Sequence, residues 1–316
     1  MLQLIILLVA QTTVLLAVSP FLVGLIRKVK ARLQLRRGAS LFQPYADLAK
    51  LFHKQPVIST TTSWIFTATP YIVFASILTA GLLVPTFTSQ MPMNFAGNII
   101  ALVYLLAVGT FFLILAGLDA GSVFGGMGSS REAIVASLTE PAMMLAIFAI
   151  ALTNGSTNVS TIVHKTALLE GIVTDPSPHL MALAALFIVA LAETGRVPVD
   201  NPATHLELTM IHEAMLLEYS GRYLALLEWA AGLKLAVFLS LIANVFAPWG
   251  IATTVTPAAM GIGLLVYVMK TATLAVVIGI IECMFAKLRL FRVTDLLGVA
   301  FILALLGLLF FYILRS

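Results

Sequence analysis

Runs of about twenty apolar residues recur along this chain of 316 residues, and a helix of that length is what it takes to cross the hydrocarbon core of a bilayer. A water-soluble helix would keep a polar outer face, but the stretch from Ile99 to Leu118 is apolar on nearly every side. Hydrophobic residues make up 60% of the chain and charged residues 10%, far from the balance of a soluble domain. Backbone groups inside lipid must be satisfied within the segment, which selects helices. The reading is therefore an all-α integral membrane protein forming one polytopic domain over residues 1–316. Eight transmembrane helices are expected, at about Leu2–Ile26, Ile65–Val84, Asn98–Leu118, Ala133–Leu152, Leu180–Ala192, Trp229–Phe246, Ala258–Phe285 and Leu296–Leu314. The first lacks a basic start and is longer than the apolar part of a signal peptide, so it is expected to remain as a membrane helix.

Lysine and arginine set the orientation. The connections after spans one, three, five and seven hold eight, one, two and three basic residues, while the other side holds only Lys165 and Arg315. Both termini are therefore expected to face outward from the inner (cytoplasmic) membrane. The net charge of +4 reflects this asymmetry and is not a nucleic-acid signal. With Cys283 as the single cysteine, the chain has no internal disulfide, cysteine-ligated cluster or zinc finger of its own. No repeat relates the two halves, which removes the main sequence pointer to an inverted-repeat transporter.

Two connections stand out. From Leu41 to Lys54, Tyr45, Leu48, Leu51 and Phe52 fall on one helical stripe, with Asp47 and Lys50 elsewhere and Pro44 suited to a first turn. This predicts an amphipathic helix, lying along the cytoplasmic interface or packed on neighbouring subunits. The acidic connection, about residues 193–228, gathers Glu193, Asp200, Glu207, Glu213 and Glu218 with His205, His212 and Arg196. Asn201-Pro202 starts a helix there and Ser220-Gly221 stops it, placing His205, Thr209 and His212 on one face. His212-Glu213 is not a zinc-peptidase motif, because Leu216 stands where the second histidine is needed. Gly121, Gly125, Gly126 and Gly128 fit no phosphate-binding loop and are expected to form a flexible turn.

Charges within the spans form a second group. Glu140 lies nine residues past Arg131, about 13 Å along a helix, with Pro141 removing the donor for the Ser137 carbonyl. Glu193, Glu228 and Glu282 sit near span ends, Lys234 about a turn and a half deeper than Glu228, and Lys270 near a span centre. Such groups are costly in lipid and usually face a polar interior, so a proton path is one reading. The other is structural: Glu228 and Glu282 sit in headgroups or pair with Lys287 and Arg289, and Lys234 snorkels toward water.

Arg32, Arg36-Arg37-Gly38, Gln43, Tyr45, Asp47, Lys50-Leu51, then Arg131 and Glu140, then Glu193-Thr194-Gly195-Arg196-Val197-Pro198-Val199-Asp200, and Glu218-Tyr219-Ser220-Gly221 follow in an order that resembles one family. It is that of the quinone-site membrane subunit of respiratory complex I and its relatives in energy-converting [NiFe] hydrogenases. The stretch Pro198 to Met215, with Ala203 and His205 where complex I proteins carry further glutamates, is similar to formate hydrogenlyase subunit 4 proteins. Lys234, Lys270 and the stretch Glu282 to Phe291 share that similarity. Ala39-Ser40 departs from the Pro-Gly usual after Arg-Arg-Gly, and quinone binding is not carried over.

The resemblance implies a non-catalytic membrane anchor that holds a soluble redox module against antiporter-like membrane subunits. It implies a [NiFe] centre and iron-sulfur clusters in the hydrogenase large and small partner subunits, with no cofactor or metal in this chain. Proton-transfer and coupling roles are expected for Glu140, Glu193, Asp200, Glu207, Glu213, Glu218, Glu228, Lys234, Lys270 and Glu282. Docking and ion-pair roles are expected for Arg32, Arg36, Arg37, Asp47, Arg131 and Arg196. The rivals are a quinone-site subunit of a complex I type or related sulfur-reducing complex, a stand-alone transporter, and a purely structural anchor. The quinone reading predicts a lined cavity near the Arg27 to Lys54 region, which a hydrogenase anchor should not show.

Overall fold

The computed structural model describes residues 2–89, 97–167, 177–201, 210–254 and 256–315. Among the described residues the regular structure is helical: α1 (Leu2–Leu33), α2 (Gln43–Phe52), α3 (Trp64–Leu82), α4 (Ile99–Asp119), α5 (Val123–Asn154), α6 (Val159–Ala167), α7 (Ser177–Glu193), α8 (His212–Leu216), α9 (Gly221–Phe246), α10 (Pro257–Met284) and α11 (Leu290–Arg315). Seven of these, α1, α3, α4, α5, α9, α10 and α11, are long and apolar enough to cross a membrane. The fifth expected span coincides with α7, whose 17 residues fall short of that length.

The helices outrun their apolar windows at one end. α5 starts at Val123 where hydropathy alone suggests Ala133, and α9 starts at Gly221 where it suggests Trp229. Hydropathy marks the stretch that belongs in hydrocarbon, but helical hydrogen bonding continues through the polar turns that carry Arg131, Glu132 and Glu228. Local caps set the starts. Ser63, Asn98, Ser122 and Thr256 each accept a bond from a backbone N–H of the first turn, and Pro257 opens α10.

Two turn expectations are corrected. Of the glycines near residue 125, only Gly121 makes a turn, with φ +65°, while Gly125, Gly126 and Gly128 lie inside α5. A Cβ on Gly125 would meet the Gly117 carbonyl at 2.6 Å, and one on Gly128 the Ala214 Cβ at 2.8 Å. These glycines let α4 and α8 close onto α5. Ser220-Gly221 opens α9, with Gly221 at φ +55° against the backbone of Lys54 and Gln55.

α9 is the buried axis of the bundle. It touches α1, α2, α3, α6, α7 and α10, and its exposed surface is small from Leu233 to Val245. α4 packs on α3 and α5, and α11 on α5 and α7. The expected amphipathic helix is present as α2. Tyr45 Oη donates to the Ala17 carbonyl, and Phe52 meets Trp229 edge-on at 6.0 Å between centroids. α2 therefore packs on α1 and α9 of its own chain. Outward faces of α1, α10 and α11 expose Ile6, Met269, Phe291 and Ile302, which suits a lipid or protein environment in the membrane.

Candidate functional site

The basic residues gather at one end of the bundle, where α1, α7 and α10 finish and α5, α9 and α11 begin. Glu282 of α10 is clasped there by Lys30 Nζ at 2.7 Å and Arg196 Nη1 at 3.0 Å. Its carboxylate is fully buried, so two cations compensate the lost hydration. Asp200 is held as tightly. Lys287 Nζ donates to Oδ1 at 2.6 Å, and the backbone N–H groups of Asn201, Ile211 and His212 donate at 2.8, 3.2 and 3.2 Å. Arg131 Nη1 donates to the Met210 carbonyl at 3.1 Å. The described ends of the acidic connection are thus bonded to α5 and to the segment between α10 and α11.

A second ion pair lies deeper. Lys234 Nζ is 2.7 Å from Glu193 Oε2 and donates to Thr110 Oγ1 at 3.1 Å. The hydroxyl of Thr139 donates to Glu193 Oε1. Four helices, α4, α5, α7 and α9, meet on this pair, about 20 Å along α9 from Gly221. Neither side chain exceeds 8% exposure. Lys234 is therefore a buried partner and does not snorkel, a correction that follows from Glu193 facing it.

A cavity of about 620 Å³ lies between α1, α2, α8, α9 and α10. Arg27, Lys30, Arg36 and Arg196 line it together with Asp47, Asp200, Glu213, Glu228 and Glu282. Next to it, a void of about 20 Å³ is bounded by Thr110, Glu132, His212 and Lys234, with room for a single water. The two spaces share His212, Leu216 and Ala231 in their walls. Burial, aided by the nearby charges of Glu228 and Asp200 and opposed by Arg27, raises the Glu213 carboxyl to about 7. Burial lowers His212 to about 4, so its imidazole is neutral at physiological pH. Tyr219, whose hydroxyl donates to the Phe66 carbonyl and whose ring stacks on Phe66, is pushed up by burial.

The structure sorts the expected residues. Glu193, Lys234, Asp200, Arg196 and Glu282 belong to the two ion-paired clusters. Glu213, Glu228, Asp47 and Arg36 face the large cavity, and Asp47 also accepts from Gln43 Nε2 at 2.9 Å. Arg32, Arg37 and Glu218 are exposed, so Glu218 stands apart from the buried groups. Glu140 is half-buried on the flank of α5 and has no bond or ion pair among the described residues. Lys270 of α10 is likewise half-buried with no bond or ion pair among the described residues. Glu282 pairs with Lys30 and Arg196, and Lys287 with Asp200, which corrects the expected headgroup or Lys287 and Arg289 pairing of Glu282. Glu207, His205 and Thr209, and with them about the first half of the expected loop helix, lie outside the described residues; in the described remainder α8 is the helical part.

Glu132 was absent from the sequence expectations. It is 7% exposed and two helical turns before Thr139, so both point toward the Glu193 and Lys234 pair. Its signal was the i, i+3, i+4, i+7 set Gly125, Gly128, Ser129, Glu132, Val135, Ala136 and Thr139, which makes one buried face of α5. Glu140, one residue later, is turned away from it. Among the described residues no three His, Cys, Asp or Glu side chains gather as metal ligands.

A helical membrane bundle with an ion-paired charge layer at one end, beside a cavity, and a buried carboxylate–ammonium pair deeper in is a polytopic membrane protein that keeps its charges inside the bundle. The chain belongs to the NADH dehydrogenase family, whose model matches residues 4–313. It is 36% identical over 283 residues to formate hydrogenlyase subunit 4 of Escherichia coli (strain K12), covering 89% of this chain and 90% of the relative. To hydrogenase-4 component C of the same organism it is 35% identical over 301 residues, covering 95% and 94%. To an NADH-quinone oxidoreductase subunit of Paramagnetospirillum magneticum it is 28% identical over 275 residues, covering 83% and 77%. A chain of the membrane-bound sulfane sulfur reductase, an archaeal respiratory membrane complex, has the same fold, with a TM-score of 0.80 over 98% of both chains at 21% identity. The resemblance read from the motifs is thereby borne out.

Proposed function

We propose that this chain is the membrane-anchor and coupling subunit of a multisubunit energy-converting [NiFe] hydrogenase of the formate hydrogenlyase type. Its basic end faces the cytoplasm with both termini outward, and it docks the soluble large and iron-sulfur subunits there. Antiporter-like membrane subunits are its neighbours within the bilayer. The exposed guanidinium groups of Arg32 and Arg37, with Arg36 at the cavity mouth, offer charge for docking, and Arg131, Arg196 and Asp47 hold the docking platform in shape. The redox chemistry belongs to the partners, and this chain moves the coupled proton or sodium ion.

The observation that carries this reading is the pair of adjoining spaces that lead from the charged cavity to the Glu193 and Lys234 pair. A proton entering past Glu228 and Glu213 reaches His212, then Glu132 through the small void, then Glu193. Glu213 is suited to the entry step because its carboxyl exchanges protons near pH 7. Protonating Glu193 would release Lys234 from its partner, and that changed charge is what neighbouring helices can sense. Asp200 and Glu282, fixed by Lys287, Arg196 and Lys30, tie the acidic connection with Glu207 and Glu218 to the relay. Glu140 extends it toward the outer flank of α5.

In the reconstituted complex, Glu193→Gln is expected to keep hydrogenase turnover while abolishing coupled ion movement, read with a pH- or sodium-sensitive dye in vesicles. Unchanged ion movement would refute the relay. The cavity beside Arg27, Lys30 and Asp47 is where the quinone rival predicts one, and it runs against the expectation that a hydrogenase anchor has none. It therefore favours a quinone site as a second reading and no longer separates the two by itself. Under that reading quinone analogues inhibit the same preparation.

A further inference from the structure

Lys270 stands halfway along α10, about 20 Å from either end at 1.5 Å per residue. The hydrocarbon layer is about 30 Å thick, which leaves roughly 15 Å between its middle and the headgroups, beyond the reach of a four-methylene stem. α10 rests on α1 and α9 through Tyr267, Thr271, Ala275 and Ile278, which are buried. Lys270 sits at the edge of that contact, half-exposed, and none of the described carboxylates pairs with it. Lys234 makes the contrast, since its ammonium has both Glu193 and Thr110.

Beside Lys270 the free face of α10 carries Ile262, Leu265, Met269, Val277, Ile280 and Met284, all exposed, with Thr273 between. Their spacings of three and four residues make the seam of a helix–helix contact. A mid-membrane ammonium is stable when it faces a carboxylate or water, and a plain lipid face offers neither. A second copy of this chain docking through the same seam would bring two Lys270 ammonium groups together, so the charge selects a different chain.

We propose that this face of α10 docks a transmembrane helix of another membrane subunit, and that an aspartate or glutamate near the middle of that helix pairs with Lys270. The proposal rests on the reading that this chain works inside a membrane assembly, and adds which face is covered and by what chemistry.

The test uses the whole assembly extracted from membranes in mild detergent. Lys270→Glu places like charges at the contact and is expected to reduce one co-purifying membrane subunit by about tenfold or more, with the soluble subunits retained. Lys270→Arg is expected to retain the full set. A photoreactive side chain at position 269, in a chain that keeps Lys270, is expected to cross-link to a transmembrane segment bearing Asp or Glu within one turn of the linked residue. That measurement decides the matter if Lys270→Glu fails to accumulate. The proposal is overturned if Lys270→Glu retains every companion, or if the cross-links reach only lipid or a helix without a carboxylate. A wild-type chain that purifies with no companion at all overturns the assembly reading itself, whereas companions indifferent to Lys270 overturn only the docking face.

Discussion

The two ends of the bundle solve the same problem by different means. At the basic end, Lys30, Arg196 and Lys287 neutralise Glu282 and Asp200 beside a cavity lined by nine charged side chains. At the opposite end the bonds that join the described connections are mostly between neutral groups, with Lys165 Nζ donating to the Asn154 carbonyl at 2.8 Å as the charged member. Asn244 Nδ2 donates to the Pro85 and Thr86 carbonyls at 2.6 and 2.8 Å, Ser160 Oγ to the Ser89 carbonyl at 2.7 Å, and Asn98 and Asn158 form a lone backbone bridge. Neutral amide and hydroxyl bonds carry no titratable proton, so these closures do not respond to pH. Charged groups around a cavity are able to hold water and exchange protons, which is what the proposed relay draws on. The Glu193 and Lys234 pair sits between, beside the small void that adjoins the cavity.

Variants can break this contrast. The largest effect is expected from Glu193→Ala, which leaves the Lys234 ammonium buried without its partner and costs about 3–5 kcal/mol. A thermal shift in detergent measures it, and the double variant Glu193→Ala with Lys234→Met is expected to recover most of the loss. A loss as small as that of an exposed substitution would mean that water reaches the pair freely. Next comes Asn244→Ala at the opposite end, which strands two backbone acceptors at a cost of about 1–3 kcal/mol. Its effect is expected to be the same at pH 6 and pH 8, because no titrating group takes part.

The smallest effect sharpens the comparison through pH. Glu213 keeps its proton in the folded chain up to about pH 7, while an ordinary glutamate releases it near 4.5. The folded state therefore binds more protons in that window, and its stability falls as pH rises through it. Glu213→Gln is expected to remove that decline, so melting temperatures of wild type and variant should converge near pH 4.5 and separate toward pH 8, with the variant higher. A parallel pH dependence in both would show Glu213 to be solvated.

Much of this was legible in the residues. Apolar runs fixed which segments enter the bilayer, because transfer into hydrocarbon depends on the local side chains alone. The motif order from Arg32 to Gly221 identified the family. Pro44 and the Tyr45, Leu48, Leu51 stripe located α2 within two residues at either end. The α5 glycines read as a turn in the sequence, because their helical role depends on which atoms arrive opposite them, as the Gly117 carbonyl and the Ala214 Cβ do.

Hydropathy and basic-residue placement, both local sums, determined by themselves that this chain is a helical membrane protein with one charged end. Only the tertiary structure decided which charge meets which. Arg196 and Glu282 lie 86 residues apart, and Asp200 and Lys287 lie 87 apart. Coulomb attraction in a buried site depends on distance in space and on excluded water, neither of which is a property of position along the chain. The same packing brought Glu132 to the centre and left Lys270 facing outward.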